Sequence, residues 1–361
     1  MPKSVYIHIP FCKSKCKYCS FTSFVGINDG IKQGYMYSLL KEISENYRGE
    51  KLNTLYFGGG TPSLMPIDFL SKIIKKFNLN TDSEITLELN PDDVTEEYLK
   101  SLLVIGVNRL SIGSQTFNDE ILKLIGRRHN SSQIEETVKL AQKSGFKNIN
   151  VDLIYGLPLQ TKELLLFDLE KFLELDIQHI STYGLKIEDG SFFGKNPPKN
   201  LPDEDTQADF YELINEKLEN QGFYRYEISN FAKKGFESKH NLNYWHNEEY
   251  YGFGVSAHGY VDGIRYSNFT EFEKYMQNPS LHEFGNFLTD KEKLEEEIFL
   301  GFRKREGIDT KRIKEKFSID FEKQYQDVLE KYKDYFIKSE KGYALNIKGV
   351  LISNVILAEF I

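Results

Sequence analysis

The chain has 361 residues, 40% of them apolar and 28% charged, with a formal net charge of −8. That balance suits a globular protein with one large and one smaller domain and excludes a chain too polar to bury a core. The acidic balance argues against a dominant nucleic-acid role, and no run of about 20 apolar residues is present to span a membrane as a helix.

Short β-rich runs recur at 4–9, 54–57, 85–89, 109–112, 149–154 and 179–185. Helical patterns fall between them at 31–47, 66–77, 95–105, 118–124 with 131–144, and 162–173. This alternation predicts a parallel sheet with crossover helices. Six such units predict an α/β fold, a partial (βα)6 barrel of the TIM type. The apolar run 5–11 is too short for a signal-peptide core and is interrupted by His8. After about residue 200 the pattern changes. A helix is expected at 203–221, an extended segment at 224–231, and a Gly- and aromatic-rich stretch from 240 to 266. From 291 a small α+β unit is expected: three helical patterns, a hairpin at Lys341-Gly342 and a final apolar helix at 350–360. That order is winged-helix-like, and its mixed charges favour packing or docking over DNA binding.

Cys12, Cys16 and Cys19 are the only cysteines, spaced CxxxCxxC after the first strand. Structural zinc would want a second pair or a Cys/His set, and only His8 is nearby. A disulfide framework is poorly served by an odd count. Three thiolates on one loop suit a 4Fe-4S cluster, which usually takes four cysteines. With no fourth, one iron is left for an external ligand. Reduced thiols point to the cytoplasm.

In βα barrels the working residues sit at the C-terminal ends of strands. Five strand ends carry candidates: the cysteine loop, Gly58-Gly59-Gly60, Glu88 with Asn90, Ser114 with Gln115, and Asp152. The glycines let backbone N–H and C=O groups approach a ligand, here an amino acid's ammonium and carboxylate. Arg127 offers a planar fork to a carboxylate. Gln115 and Asp152 suit a sugar's hydroxyls, and a buried Asp needs a partner. Tyr6 and Tyr18 suit a flat adenine ring. An amino-acid end, a ribose and an adenine beside an open iron describe S-adenosylmethionine (SAM).

The Cys12-xxx-Cys16-x-Tyr18-Cys19 loop resembles that of radical SAM proteins. Tyr6-Ile-His-Ile-Pro-Phe-Cys12, Phe57-Gly-Gly-Gly-Thr-Pro-Ser63, Gly106-Val-Asn-Arg-Leu-Ser-Ile-Gly113 and Asp152-Leu-Ile-Tyr-Gly-Leu-Pro158 resemble the coproporphyrinogen-oxidase-like branch. The resemblance implies cluster ligation by Cys12, Cys16 and Cys19. It implies cofactor contacts from Tyr6, Tyr18, Gly59, Gly60, Thr61, Glu88, Gln115, Arg127 and Asp152. It divides the chain into a core barrel at 1–235, a connecting region at 236–290 and a C-terminal HemN-type domain at 291–361.

The oxygen-independent oxidase carries a further cysteine two positions after the third, where this chain has Phe21, and an N-terminal extension where this chain starts almost at the first strand. Both departures match HemW-type heme chaperones, as does His240-Asn-Leu-Asn-Tyr-Trp245, which is similar to their HNxxYW motif. That motif makes His240 an expected axial ligand of heme and Tyr244 and Trp245 its flat contacts. His246 and His258 are reserve ligands, and His8 a supporting hydrogen-bond partner near the cluster. The expected function is heme binding and transfer to an acceptor protein, without nucleic acid or a membrane segment. Self-association as a homodimer stays an open expectation. The alternative is an oxygen-independent coproporphyrinogen III oxidase or another radical tetrapyrrole-modifying enzyme.

Overall fold

The computed structural model describes residues 1–361. Six parallel strands form the centre: β1 (Ser4–Ile9), β2 (Lys51–Gly59), β3 (Asn78–Leu89), β4 (Arg109–Gln115), β5 (Ile149–Tyr155) and β6 (His179–Gly184). The crossover helices are α1 (Asp29–Asn46), α2 (Ile67–Ile74), α3 (Glu96–Val104), α4 (Asp119–Leu124) with α5 (Ser131–Ser144), and α6 (Lys162–Glu174). Helix starts follow local chemistry. Asn28, Thr95, Asn118 and Thr161 each accept a first-turn N–H, and Asn130 forms a capping box with Gln133.

Strand alternation sorts the two faces. Val5, Ile7, Leu55, Phe57, Leu87, Leu110, Val151 and Ile180 are buried in the main apolar core with the helices. The alternate residues are in register across the strands, in the pairs Tyr6–Tyr56, Tyr56–Thr86, Thr86–Arg109, Glu88–Ser111, Ser111–Asn150 and Asp152–Ser181. Those residues make the barrel lumen polar.

The sheet runs well beyond these six strands. β7 (Tyr224–Arg225) and β8 (Asn230–Ala232) extend it past β6. The single extended segment expected at 224–231 is therefore two strands, because Glu227 turns inward and accepts the Ser229 N–H at 3.0 Å, folding the chain back. On the other edge β9 (Tyr250–Phe253) pairs parallel with β1, and β10 (His258–Val261), β11 (Ile264–Asn268) and β12 (His282–Phe287) follow as an antiparallel meander. The stretch between barrel and C-terminal unit is thus largely a continuation of the barrel sheet.

The buried carboxyl of Glu42 on α1 fixes that extension. It accepts Gly254 N–H at 2.9 Å, Asn268 Nδ2–H at 2.6 Å and the phenol of Tyr275, on α10 (Phe272–Gln277), at 2.6 Å. Burial lifts its pKa to about 8, against the pull of these three donors. The folded state therefore keeps the proton over a window where the unfolded chain has lost it. This contribution to stability is fully present below about 4.5 and is lost as pH rises through about 8. Glu42→Ala should cost about 3 kcal/mol or more in chemical denaturation, since three buried donors lose their acceptor. It should also flatten stability between those pH values. A cost within 0.5 kcal/mol, roughly that of a surface change, would refute the assignment.

After β6 come a short helix α7 (Phe192–Lys195) and α8 (Glu204–Glu219), and a second core unites Tyr211 of α8 with the C-terminal unit, including Leu294, Ile298, Phe302, Ile313, Phe321 and Phe360. Its helices are α11 (Asp290–Gly301), α12 (Thr310–Phe317), α13 (Phe321–Gln324) and α14 (Gln326–Lys331), followed by the hairpin of β13 (Phe336–Lys338) and β14 (Tyr343–Leu345). The final apolar helix expected at 350–360 is broken into α15 (Ile347–Leu351), α16 (Ser353–Leu357) and a 3-10 turn. Ile352 between the helices leaves the helical region, at φ −109° and ψ 21°.

Candidate functional site

The cysteine loop leaves β1 and is held at several points. A two-residue parallel pair, Phe11–Cys12 with Phe24–Val25, closes it. Lys17 N–H donates to Ile125 O at 2.9 Å beyond the end of α4, and Cys19 N–H to Cys16 O at 3.2 Å. Lys13 bridges Asp93 at 2.6 Å. The three thiols are free and half-buried. Burial pushes the Cys12 and Cys19 thiols up, so a bound cation is what would turn them into thiolates. No group of three or more His, Cys, Asp or Glu side chains, these three thiols included, converges closely enough to hold a single metal ion. His8 is engaged at both ring nitrogens, by Tyr6 Oη at 3.0 Å and Thr22 O at 2.8 Å. A carbonyl only accepts, so Nε2 carries the proton and Nδ1 accepts from the phenol.

The strand ends meet at this loop. Thr61 Oγ1 donates to Cys12 Sγ at 3.6 Å, and Arg127 Nη1 to Cys16 Sγ at 3.4 Å. Arg127 Nη2 donates to Asn90 Oδ1 at 2.6 Å and to Gly113 O. Asn90 in turn donates to Thr61 and Asp93 at 3.1 Å each. Burial pulls the Arg127 pKa down, but Tyr18 and Cys16 more than offset it and keep the guanidinium protonated. Its Nε is buried without a partner.

The glycine triplet is dictated by close packing. A Cβ on Gly58 would lie 2.9 Å from the rings of Tyr6 and Tyr56, and one on Gly60 would lie 2.8 Å from Phe11 O. Gly59 adopts φ +111° and donates its N–H to Glu88 at 3.2 Å. Burial raises Glu88 to about 7, and Asp152 adds to the rise. Asp152 is also raised by burial and accepts from Asn150 at 2.8 Å. Gln115 sits at φ +71°, a strained value for a non-glycine residue, beside Arg127 at Gly113. Tyr18 packs on the small apolar cluster of Ile121, Ile125 and Phe193. Thr61, Asn90 and Arg127 therefore meet the cysteine loop at one mouth, with the Gly59–Glu88 pair and Gln115 beside them, whereas Ser114 is fully buried and its hydroxyl donates to Ile112 O at 3.3 Å. Asn90, already a strand-end candidate, carries much of this wiring, and Asp93 and Lys13, which no sequence signal marks, complete it.

The HNxxYW segment forms α9 (Lys239–Trp245). Glu84 accepts Lys239 N–H and His240 N–H, both at 3.1 Å, and fixes the helix start. His240 is 1% exposed. It contacts Thr54 Oγ1 at 2.7 Å through Nδ1 and Tyr244 Oη at 2.8 Å through Nε2. Burial lowers its pKa to about 3, so it is neutral. The expected axial ligand thus presents no free ring nitrogen and faces the lumen. Tyr244 and Trp245 instead line a cleft of about 670 Å³ with Tyr250, Leu288, Phe299 and Leu300. Trp245 Nε1 is buried there without an acceptor. His246 pairs with Glu306 at 3.5 Å, and His258 is exposed on β10.

Known proteins match this arrangement. The Radical SAM superfamily model matches residues 6–171 and the HemN C-terminal domain model matches 288–349. Heme chaperone HemW of Lactococcus lactis subsp. lactis is 42% identical over 337 residues, covering 91% of this chain and 88% of that one. Heme chaperone HemW of Bacillus subtilis is 38% identical, covering 99% of both chains. The structure of coproporphyrinogen III oxidase (HemN) from Escherichia coli, a radical SAM enzyme, superposes with a TM-score of 0.86 at 26% identity, covering 99% of this chain and 90% of that one. On the strength of the HemW relatives and the glycine-rich mouth beside three thiols, the chain belongs to the HemW family of radical SAM proteins.

Proposed function

We propose that the chain binds heme and passes it to an acceptor protein, with a 4Fe-4S cluster and SAM held at the barrel mouth. Two observations support those groups at this mouth: one loop offers three free thiols, and Arg127 Nε is a buried donor without a partner. Cys12, Cys16 and Cys19 would hold the cluster. Backbone at Gly59 and Gly60, Thr61, Glu88, Gln115, Arg127 and Asp152 would hold the sulfonium, with Tyr6 and Tyr18 against its ring. When bound, the pair supplies one-electron chemistry. Arg127 keeps a positive charge against Cys16, and Glu88, near neutrality, exchanges a proton at its carboxyl without a large cost.

The aromatic cleft behind α9 carries the heme reading. It sets two flat rings of the motif in one wall, while His240 acts from behind by fixing the Tyr244 hydroxyl. Heme titration of the anaerobically reconstituted protein tests it. Trp245→Ala should weaken heme binding by about tenfold or more, as loss of a buried aromatic anchor does. Unchanged affinity would remove the cleft from the reading. Decarboxylation of added coproporphyrinogen would favour the oxidase instead.

A further inference from the structure

Between the mouth and the cleft lies one tyrosine that neither site uses. Tyr56 sits on β2 within the lumen, its ring near-parallel to those of His240 (5.0 Å, 25°) and Tyr6 (6.1 Å, 24°). Its hydroxyl donates to Glu88 Oε1 at 2.8 Å, and Glu88 Oε2 accepts the Gly59 N–H. On the far side His240 contacts the Tyr244 hydroxyl, whose ring is a wall of the cleft. The sequence Gly59–Glu88–Tyr56–His240–Tyr244 is unbroken contact from one site to the other.

We propose that Tyr56 and His240 couple the two sites, so that a ligand held at the glycine triplet changes affinity in the cleft behind α9. The proposal rests on the reading of these places as SAM and heme sites. The element with two arrangements is the Glu88 carboxyl, shared between the Tyr56 O–H and the Gly59 N–H. A ligand that takes the Gly59 N–H or one Glu88 oxygen changes what Tyr56 can donate to. The ring packs close against Gly58, where a Cβ would stand 2.9 Å from it, and a close-packed interior transmits displacement. His240 follows, held by Thr54 on one nitrogen and Tyr244 on the other. The Tyr244 phenol already feels the mouth: burial raises it first, and Tyr250, Tyr6 and Glu88 raise it further. A contact path alone is only an association; a measured linkage is the physical warrant.

The test measures heme affinity of the full reconstituted chain with and without saturating SAM, in wild type and in Tyr56→Phe. This substitution keeps the ring and removes only the hydroxyl. Wild type should show a ratio of about fivefold or more, and SAM affinity should shift by the same factor when heme is bound, as linkage demands. Tyr56→Phe should bind both ligands with a ratio near one. Thr54→Val, which releases the hold on His240 Nδ1, should give the same result and serves if Tyr56→Phe does not fold. A ratio near one in wild type with both ligands bound overturns the coupling alone, as does a full ratio retained in either variant. Wild type that binds no heme or no SAM overturns the underlying reading, and the coupling with it.

Discussion

Cys16→Ser should leave the chain without iron. Cys16 is the middle member of the CxxxCxxC loop, its sulfur facing Arg127 Nη1 and its carbonyl holding the Cys19 N–H. A serine oxygen is harder and far less acidic than a thiol, so it does not replace a thiolate on iron. No fourth cysteine exists to move into its place. Iron and acid-labile sulfide in anaerobically reconstituted protein should fall from about four per chain to near zero, as expected when a cluster ligand is lost. The brown absorbance should go with them. Far-UV circular dichroism should hold, because Cys16 lies outside all three apolar cores. A variant that keeps full iron and sulfide would mean that the cluster sits elsewhere or takes another ligand.

Legibility in the sequence followed the strength of local signals. The six barrel strands were readable because their outward residues are β-branched or apolar and their flanks are capped helices. The 131–144 helix matches its observed bounds, fixed by an Asn130 capping box and a Gly145 stop at φ +115°. The strands β9 to β12 were not readable. Gly252, Gly259 and Gly285 interrupt their pattern, and the reason for two of them lies on the neighbouring strand. A Cβ on Gly252 would strike His258 O, and one on Gly259 would strike the Tyr266 ring. The closing helix failed for the opposite reason: its apolar run hid the break at Ile352. At the site, residue types at strand ends identified the mouth, but the Lys13–Asp93 and Arg127–Asn90 pairings depend on how separate loops approach. His240 was legible as part of a motif, whereas its direction was not. Only burial beneath Tyr56 and capping by Glu84 turn it inward.

Gly59→Ala should cost more than any other single methyl added at the mouth, because two penalties fall on one atom. The first is the backbone. At φ +111° an L-residue is strained by about 1–2 kcal/mol. The second is steric. The new Cβ would stand 2.6 Å from the His8 ring. That imidazole has no freedom to move aside, because Tyr6 donates to one nitrogen and the other donates to Thr22 O, three residues after Cys19. Displacing the ring loosens the anchor of the cysteine loop as well as the Gly59–Glu88 bond. Gly49→Ala separates the two penalties. Gly49 has φ +92° with nothing near its missing Cβ, so it carries backbone strain alone. Chemical denaturation should show Gly59→Ala less stable than Gly49→Ala by about 1–3 kcal/mol, the range of an overpacking cost. SAM affinity should fall by about tenfold or more in the first variant, the equivalent of ~1.4 kcal/mol, and stay unchanged in the second. If the two variants are equally stable and bind SAM alike, the imidazole is not the wall that the glycine turn is built against.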